Sequence, residues 1–448
     1  MEIHDSAATQ LVASQFQVLE LGRASQVSPL AASGVLGDFV DETTRVLVSA
    51  ETTHGMVPDA ALSFEKAGAR RQLFFTPERT RVGIVSCGGL CPGINSVIRA
   101  LVLQLHHSYG VKHIVGFRYG YEGLNKLQGL EPMTLTPSLV TNSHVTAGSI
   151  LGLGRGPQSP AAMLARLQEL AVDVLIVVGG DGSLRGAHAI AVEAARVGAP
   201  IGIVAVPKTI DNDIPFVDKT FGFESAVEVA SRALSSAHVE ATSARNGIGI
   251  VKLMGRDAGF LCAHAALASL DVNFCLIPEV RFELDGPCGL LRAVEARLEQ
   301  RGHALIAVAE GCGANLMNGA AEYDASGNLR FGSQELDIGA WLRDQLHLHF
   351  KARNMQTTIK YIDPSYMVRS VAANSADNRY CDLLAHHAVH AALAGKTDLV
   401  VGSWNGSFTH VPLALVNSQR RRVDPDGDLW SAVVSSTGQF DLCAAKLA

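Results

Sequence analysis

The sequence predicts an α/β protein of two doubly wound lobes with parallel sheets, preceded by an extension over residues 1–80. Three observations lead there. Short β-branched runs recur from Arg81 onward, each followed by a glycine turn and then by apolar residues at helical spacing. That order appears twice, once over residues 82–206 and again over residues 224–309. Before Arg81 the apolar segments are weak, such as Val46-Leu47-Val48, and no comparable glycine turn occurs.

In the first set, Val82-Gly83-Ile84-Val85-Ser86 is a buried strand, and Ile94, Val97, Ile98, Leu101, Val102 and Leu105 mark the following helix over 94–105. Residues 111–117 and 174–178 are the next strands, an Ala-rich helix runs from Ser183, and 201–206 is a further strand. In the second set, 224–238 is helical, 248–253 a strand, 256–270 a helix, and 274–277 and 304–309 strands. Leu290, Leu291, Val294 and Leu298 line a helix closed by Arg301-Gly302. Open sheets of this kind bind ligands outside the carboxyl ends of their strands.

Composition bounds the function. The chain has 448 residues, 48% hydrophobic and 18% charged, enough for two or three cored units. A formal charge of −6 opposes nucleic-acid binding, which needs a basic face. The one basic run, Arg420-Arg421-Arg422, is followed by Asp424, Asp426 and Asp428 and reads as a solvated connection. Eight scattered cysteines form no Cys-x-x-Cys pair. The start, with Glu2, His4 and Asp5, lacks the order of a signal peptide, no apolar stretch is long enough for a membrane span, and Ala448 puts Lys446-Leu447 out of register for a peroxisomal tripeptide. A cytoplasmic location without membrane partners is expected.

Three turns carry chemistry. Gly88-Gly89-Leu90-Cys91-Pro92-Gly93 joins a strand to a helix start, where backbone amides and the helix terminus suit an anion. Ile94-Asn95 replace the Lys-Ser/Thr of a Walker loop, and a plain tight turn is an equal reading. Gly179-Gly180-Asp181-Gly182-Ser183 places a carboxylate where a divalent metal could meet phosphate oxygens, although Asp181 could equally cap the next helix. Pro207-Lys208-Thr209-Ile210-Asp211-Asn212-Asp213 combines two carboxylates, a hydroxyl and an ammonium, a base and a cation suited to phosphoryl transfer. Loop Asp and Asn also close turns by local hydrogen bonds. Three such turns at three strand ends favour chemistry.

Together with Gly116-Phe117-Arg118-Tyr119-Gly120-Tyr121-Glu122-Gly123-Leu124, Leu151-Gly152-Leu153-Gly154-Arg155-Gly156, Met254-Gly255-Arg256, Ile277-Pro278-Glu279, Ala309-Glu310-Gly311 and Asp363-Pro364-Ser365-Tyr366-Met367-Val368-Arg369, these stretches resemble the phosphofructokinase family from about Arg81 to the C-terminus. The resemblance implies two Rossmann-like lobes: 81–223 with about 370–430 for the phosphoryl donor, and 224–369 with about 431–448 for the sugar phosphate. It implies transfer of a phosphoryl group to the 1-hydroxyl of fructose 6-phosphate, with Asp211 as base beside Thr209 and Asp213. Gly88, Gly180, Gly182, Ser183 and Lys208 would hold the donor, with the Gly88 amide on its phosphates. Asp181 would hold Mg²⁺, and Arg155 and Arg256 would neutralise developing charge. Met254, Gly255, Arg256 and Glu310 would meet the fructose, and Lys360, Tyr366 and Arg369 the 6-phosphate. Plainer uses exist for several: core packing for Met254, an ion pair for Glu310, a solvated strand position for Lys360.

Leu90, Lys208, Gly247 and Tyr366 stand where short bacterial members carry Asp, Gly, Arg and His. These departures match the longer plant-like and trypanosomal-like ATP-dependent branch. Pyrophosphate users place a carboxylate at the position of Gly182, which favours ATP here, whereas Lys208 is typical of pyrophosphate users. The alternatives are a pyrophosphate-dependent enzyme and a catalytically silent regulatory subunit, the latter opposed by the presence of Asp181, Asp211 and Asp213. Lipid and NAD kinases share a Gly-Gly-Asp-Gly turn but give no reason for the later blocks. The family also implies allosteric control and a homodimer or homotetramer.

Overall fold

The structure, a computed structural model, describes residues 11–32, 34, 39–313, 316–317, 321–323, 329–331, 337–439 and 442. Glu2, His4, Asp5, Cys443 and Lys446-Leu447-Ala448 lie outside the described residues. The chain forms two compact units. The first holds the described residues up to Lys208 with Ile214–Phe221 and Asn378–Arg420; the second holds Thr209–Asp213, Gly222–Asp377 and the described residues from Arg421.

The first unit is built on a nine-stranded sheet in the order Arg45–Leu47, Ser63–Lys66, Ser407–Pro412, Leu399–Trp404, Gly202–Pro207, Val174–Gly179, Arg81–Ser86, His113–Phe117, Met133–Thr134. The five strands from Leu399–Trp404 to His113–Phe117 are parallel, and the flanking ones antiparallel. Val174–Gly179 and Gly202–Pro207 are buried throughout, as their unbroken aliphatic runs require. The extension before Arg81 is woven into this sheet, since Arg45–Leu47 and Ser63–Lys66 supply its antiparallel edge.

In the second unit, four parallel strands run in the order Phe274–Leu276, His303–Ala309, Gly247–Leu253, Thr358–Ile362. Phe223–Thr242 is its longest helix, and Asp377 receives the N–H groups of Gly222 (2.9 Å) and Ser225 (2.7 Å) at that helix's start. Leu290–Arg301 ends on Gly302 in the left-handed conformation.

Three expected helices differ in extent, and the one placed at 224–238 runs over Phe223–Thr242. The one placed at 256–270 is Phe260–Ser269, because both oxygens of Glu279 take the Gly259 N–H and hold the preceding residues in a turn. The one placed at 94–105 is α-helical over Ile94–Leu103 and continues as a wider π turn over Gln104–Ser108.

Candidate functional site

The turns that carry Gly88, Asp181, Lys208, Arg256 and Glu310 follow the carboxyl ends of parallel strands. In the first unit, four loops converge. The Gly88 N–H donates to the Gly154 carbonyl (3.0 Å) and the Tyr119 N–H to that of Leu151 (2.9 Å), which joins the 88–93, 118–124 and 151–156 loops. The Gly88 amide is therefore engaged within the protein. What Gly88 leaves is space, since a side chain there would stand 3.6 Å from Lys208 Nζ and 3.7 Å from Ser183 Oγ. Lys208 is buried, and its Nζ donates to the Gly89 carbonyl at 2.8 Å. Next to it, burial pushes the Cys87 thiol up to about 12, partly offset by the Lys208 charge.

Gly180 is the cap of helix Asp181–Val197 and makes no side-chain cap bond; Asp181 is the first helical residue. The Asp181 carboxylate is instead held by Arg185 Nη1 on Oδ1 (2.7 Å) and Arg420 Nη2 on Oδ2 (3.2 Å). Gly182 faces open space, for a Cβ there would approach only Arg185 Nη2, at 3.9 Å. Ser183 is buried, its N–H bonded to the Gly180 carbonyl, while Arg155 is exposed.

In the second unit, the Asp211 N–H donates to Thr209 Oγ1 (3.0 Å), and Asn212 takes a left-handed conformation (φ 53°) that turns the loop. Asp211 Oδ1 is shielded from solvent and has no hydrogen-bond partner. Burial raises the Asp211 pKa well above the usual carboxylate value; Asp213, Glu310 and Asp257 raise it further and Arg256 opposes them. Glu310 is raised too, first by burial, with Arg256, Lys252 and Arg369 pulling it back. Residues from three separate segments thus share one electrostatic environment around Asp211.

Backbone contacts fix that cluster. The Glu310 N–H donates to the Leu253 carbonyl (2.9 Å) and the Gly311 N–H to that of Gly255 (3.2 Å), so the two strand ends carrying Arg256 and Glu310 are locked together. A Cβ on Gly311 would fall 1.8 Å from the Arg256 carbonyl oxygen, which makes glycine obligatory there. Gly247 is equally constrained, since a Cβ would lie 2.0 Å from the Ala241 carbonyl oxygen; the arginine of the short bacterial type has no room at this position. Met254 is half-buried, and the Arg369 guanidinium lies over the exposed Tyr366 ring at 4.9 Å. Lys360 is exposed in mid-strand, paired with Gly249, and so is not among the strand-end residues.

Sequence reasoning missed four contributors. Lys252 pairs with Asp363 (2.8 Å) and Asp337 (3.0 Å), tying the start of the 363–369 block to the Met254 strand. Asp257 adds negative charge next to Arg256. Arg420 and Arg421, expected in a solvated connection, make specific contacts: Arg420 with Asp181, and Arg421 with the 209–213 loop, its Nη1 donating to the Asn212 carbonyl at 3.5 Å. Periodicity carries no signal for such long-range pairs. Among the described residues, no group of three or more His, Cys, Asp or Glu could hold a metal.

The family model described as Phosphofructokinase matches residues 81–392. The ATP-dependent 6-phosphofructokinase of Borreliella burgdorferi is 43% identical over 437 residues, 95% of this chain and 96% of that protein. The Amycolatopsis methanolica protein of the same name is 46% identical over 423 residues, 91% of each. Among solved structures, a pyrophosphate-dependent phosphofructokinase from Marinobacter aquaeolei matches with a TM-score of 0.65 at 20% identity, covering 81% of this chain and 91% of that one. Pichia pastoris phosphofructokinase in the T-state matches with a TM-score of 0.63 at 22% identity, over 82% of this chain and 40% of that one. At these identities the structures speak to the fold alone.

Proposed function

This chain belongs to the phosphofructokinase family, and from that premise we propose that it transfers the γ-phosphoryl group of ATP to the 1-hydroxyl of fructose 6-phosphate, giving fructose 1,6-bisphosphate and ADP. The observation that carries the reading is Asp211, a recessed carboxylate with one oxygen shielded and unpartnered, facing the charges of Asp213, Glu310 and Arg256. A base must accept a proton as the sugar oxygen attacks phosphorus, and a raised pKa improves that acceptance near neutral pH. The proton of the hydroxyl goes to Asp211, the new O–P bond forms, and the bond to the leaving ADP oxygen breaks. Arg256 supplies positive charge for the equatorial oxygens as this happens. Thr209 orders the loop by accepting the Asp211 N–H.

Met254, Gly255 and Glu310 would contact the fructose, and Tyr366 and Arg369 the 6-phosphate, with Lys360 reaching from its edge strand. The stacking of Arg369 on Tyr366 presents a preoriented cation for that phosphate. On the donor side, Gly180, Ser183, Gly88 and Lys208 form the cradle, and Arg155 adds an exposed cation.

ATP is favoured by the open space at Gly182. A carboxylate there would face the α-phosphate. The curated relatives at 43–46% identity are named ATP-dependent, which supports the same choice. Mg²⁺ fits Asp181 only as an ion that arrives on nucleotide phosphates, because a lone carboxylate already engaged by two arginines makes no resident site. When bound, it would neutralise phosphate charge during transfer. A cytoplasmic, glycolytic, allosterically regulated dimer or tetramer completes the reading; no helix among the described residues is long and apolar enough to cross a membrane.

The test is a coupled assay with fructose 6-phosphate and either ATP or pyrophosphate, on the wild type and on Asp211→Asn. Turnover with ATP is expected, and the variant should lose about 10²–10⁴-fold in kcat with little change in sugar binding. Turnover with pyrophosphate alone would move the donor assignment, and a near-normal kcat in the variant would remove Asp211 from its role.

A further inference from the structure

We infer that Arg421 is a positioning residue for the catalytic loop, and that the residues from Arg421 to Val423 form a strap holding the Asp211 carboxylate at its working place. The inference rests on the reading of Asp211 as the base. Its evidence is a continuous set of contacts inside the second unit.

The loop needs holding. Asn212 sits between the two carboxylates in the left-handed region, at φ 53°, a conformation asparagine adopts more readily than most residues but less readily than glycine. Arg421 contacts this turn twice on the backbone side. Its own N–H donates to the Asp213 carbonyl at 3.1 Å, and its guanidinium donates to the Asn212 carbonyl at 3.5 Å. The carbonyls are those of the bend residue and its successor, so the two bonds resist relaxation of the bend and with it displacement of the backbone that carries Asp211.

The guanidinium is itself anchored. Its central carbon lies 4.8 Å from the centroid of the Phe260 ring, a cation–π contact. Phe260 is the first residue of helix Phe260–Ser269, and the residue before it, Gly259, has its N–H fixed by both oxygens of Glu279 (2.9 and 3.1 Å). Two residues beyond Arg421, the Val423 N–H donates to the same Glu279 at 2.8 Å. The strap is therefore bonded to Glu279 at its Val423 end and rests at its Arg421 end on the ring next to Gly259, which the same Glu279 holds. Half-buried Glu279 thus fixes the backbone on either side of the Arg421 contact with Phe260. A guanidinium suits this task because its planar fork can stack on a ring and still donate in its own plane.

The experiment uses the full-length enzyme and two variants, Arg421→Met, which keeps apolar cover over Phe260 without a donor, and Arg421→Lys, which keeps a cation but loses the planar stack. Steady-state constants for both substrates and the thermal midpoint are measured for each. The expected result is a loss of about tenfold in kcat for the Met variant, the size of one charged hydrogen bond. Its KM for fructose 6-phosphate and its midpoint should stay close to the parent's, and the Lys variant should fall between the two. A Met variant within twofold of the parent in kcat, or a kcat loss matched by a fallen midpoint and a raised KM, overturns the positioning role. Should the Met variant not fold, the Lys variant decides alone: a partial kcat loss at parental KM supports the role, and unchanged kcat overturns it. A parent without sugar-phosphate turnover, or a fully active Asp211→Asn, would instead sink the reading of Asp211.

Discussion

Gly182→Asp is the substitution that separates the two phosphoryl donors, and its size can be worked from the first unit alone. A Cβ at position 182 meets nothing closer than Arg185 Nη2, at 3.9 Å, so the side chain enters without displacing backbone. It also enters the first turn of helix Asp181–Val197, where an acid is mildly stabilising, by about 0.3–1 kcal/mol. The fold should therefore survive. Against a nucleotide, the new carboxylate sets one negative charge beside the α-phosphate. At about 5 Å and an effective dielectric of about 20, the repulsion is about 3 kcal/mol. Arg185 is 46% exposed and already pairs with Asp181, so its compensation is at most about 1 kcal/mol. The remaining ~2 kcal/mol corresponds to about a thirtyfold loss in kcat/KM for ATP. Pyrophosphate has no α-phosphate to be repelled, so any turnover with it should fall much less. The assay is the coupled measurement with each donor at matched magnesium, with a melting curve on the same sample. Equal losses with both donors, at an unchanged thermal midpoint, would refute the argument that Gly182 selects ATP by leaving room.

Two further outcomes concern stability. Burial lowers the pKa of both His387 and His390 to about 3, and the Tyr109 hydroxyl shares a 2.6 Å hydrogen bond with His390 Nδ1. In the unfolded chain both protonate near pH 6.5, so their contribution is complete above that value and is lost progressively as pH falls toward 3; at pH 5 each costs about 2 kcal/mol. His188, raised by its bond to Asp398, works in the opposite sense but is partly exposed. The thermal midpoint should therefore drop between pH 7.5 and pH 5, and a flat profile would count against neutral buried imidazoles. Gly311→Ala forces a methyl group to within 1.8 Å of the Arg256 carbonyl oxygen unless the backbone moves. A destabilisation of about 1–3 kcal/mol together with reduced kcat is expected, read by calorimetry and the coupled assay, and a parental enzyme in both respects would show that the two strand ends are not locked.

Much of the site was legible because it sits where sequence patterns end. The runs at 82–86, 174–178 and 201–206 are buried parallel strands, and such strands need unbroken aliphatic stretches that stop sharply at the ligand-bearing turn. Asp211 could thus be singled out from its place after a strand, whereas Arg256 and Glu310 came only with the family resemblance. What stayed hidden depends on partners far away in the chain. The strands before Arg81 are short, and pairing stabilises them more than any propensity of their own does, as where Ser63–Lys66 adds to Ser407–Pro412. The Gly88 amide looked available for phosphate because its acceptor, the Gly154 carbonyl, lies 66 residues on. Helix Phe260–Ser269 starts late because Glu279 claims the Gly259 amide. The arginine run is the sharpest case. Beside three aspartates it has the composition of a solvated linker, yet Arg420 holds Asp181 and Arg421 the bend at Asn212, the two carboxylate-bearing turns to which the chemistry was assigned. Local composition could not separate these readings, since a guanidinium on a distant carbonyl and one in water follow the same sequence. A pair of arginines placed 239 and 209 residues after the turns they brace is visible only once the chain has folded back.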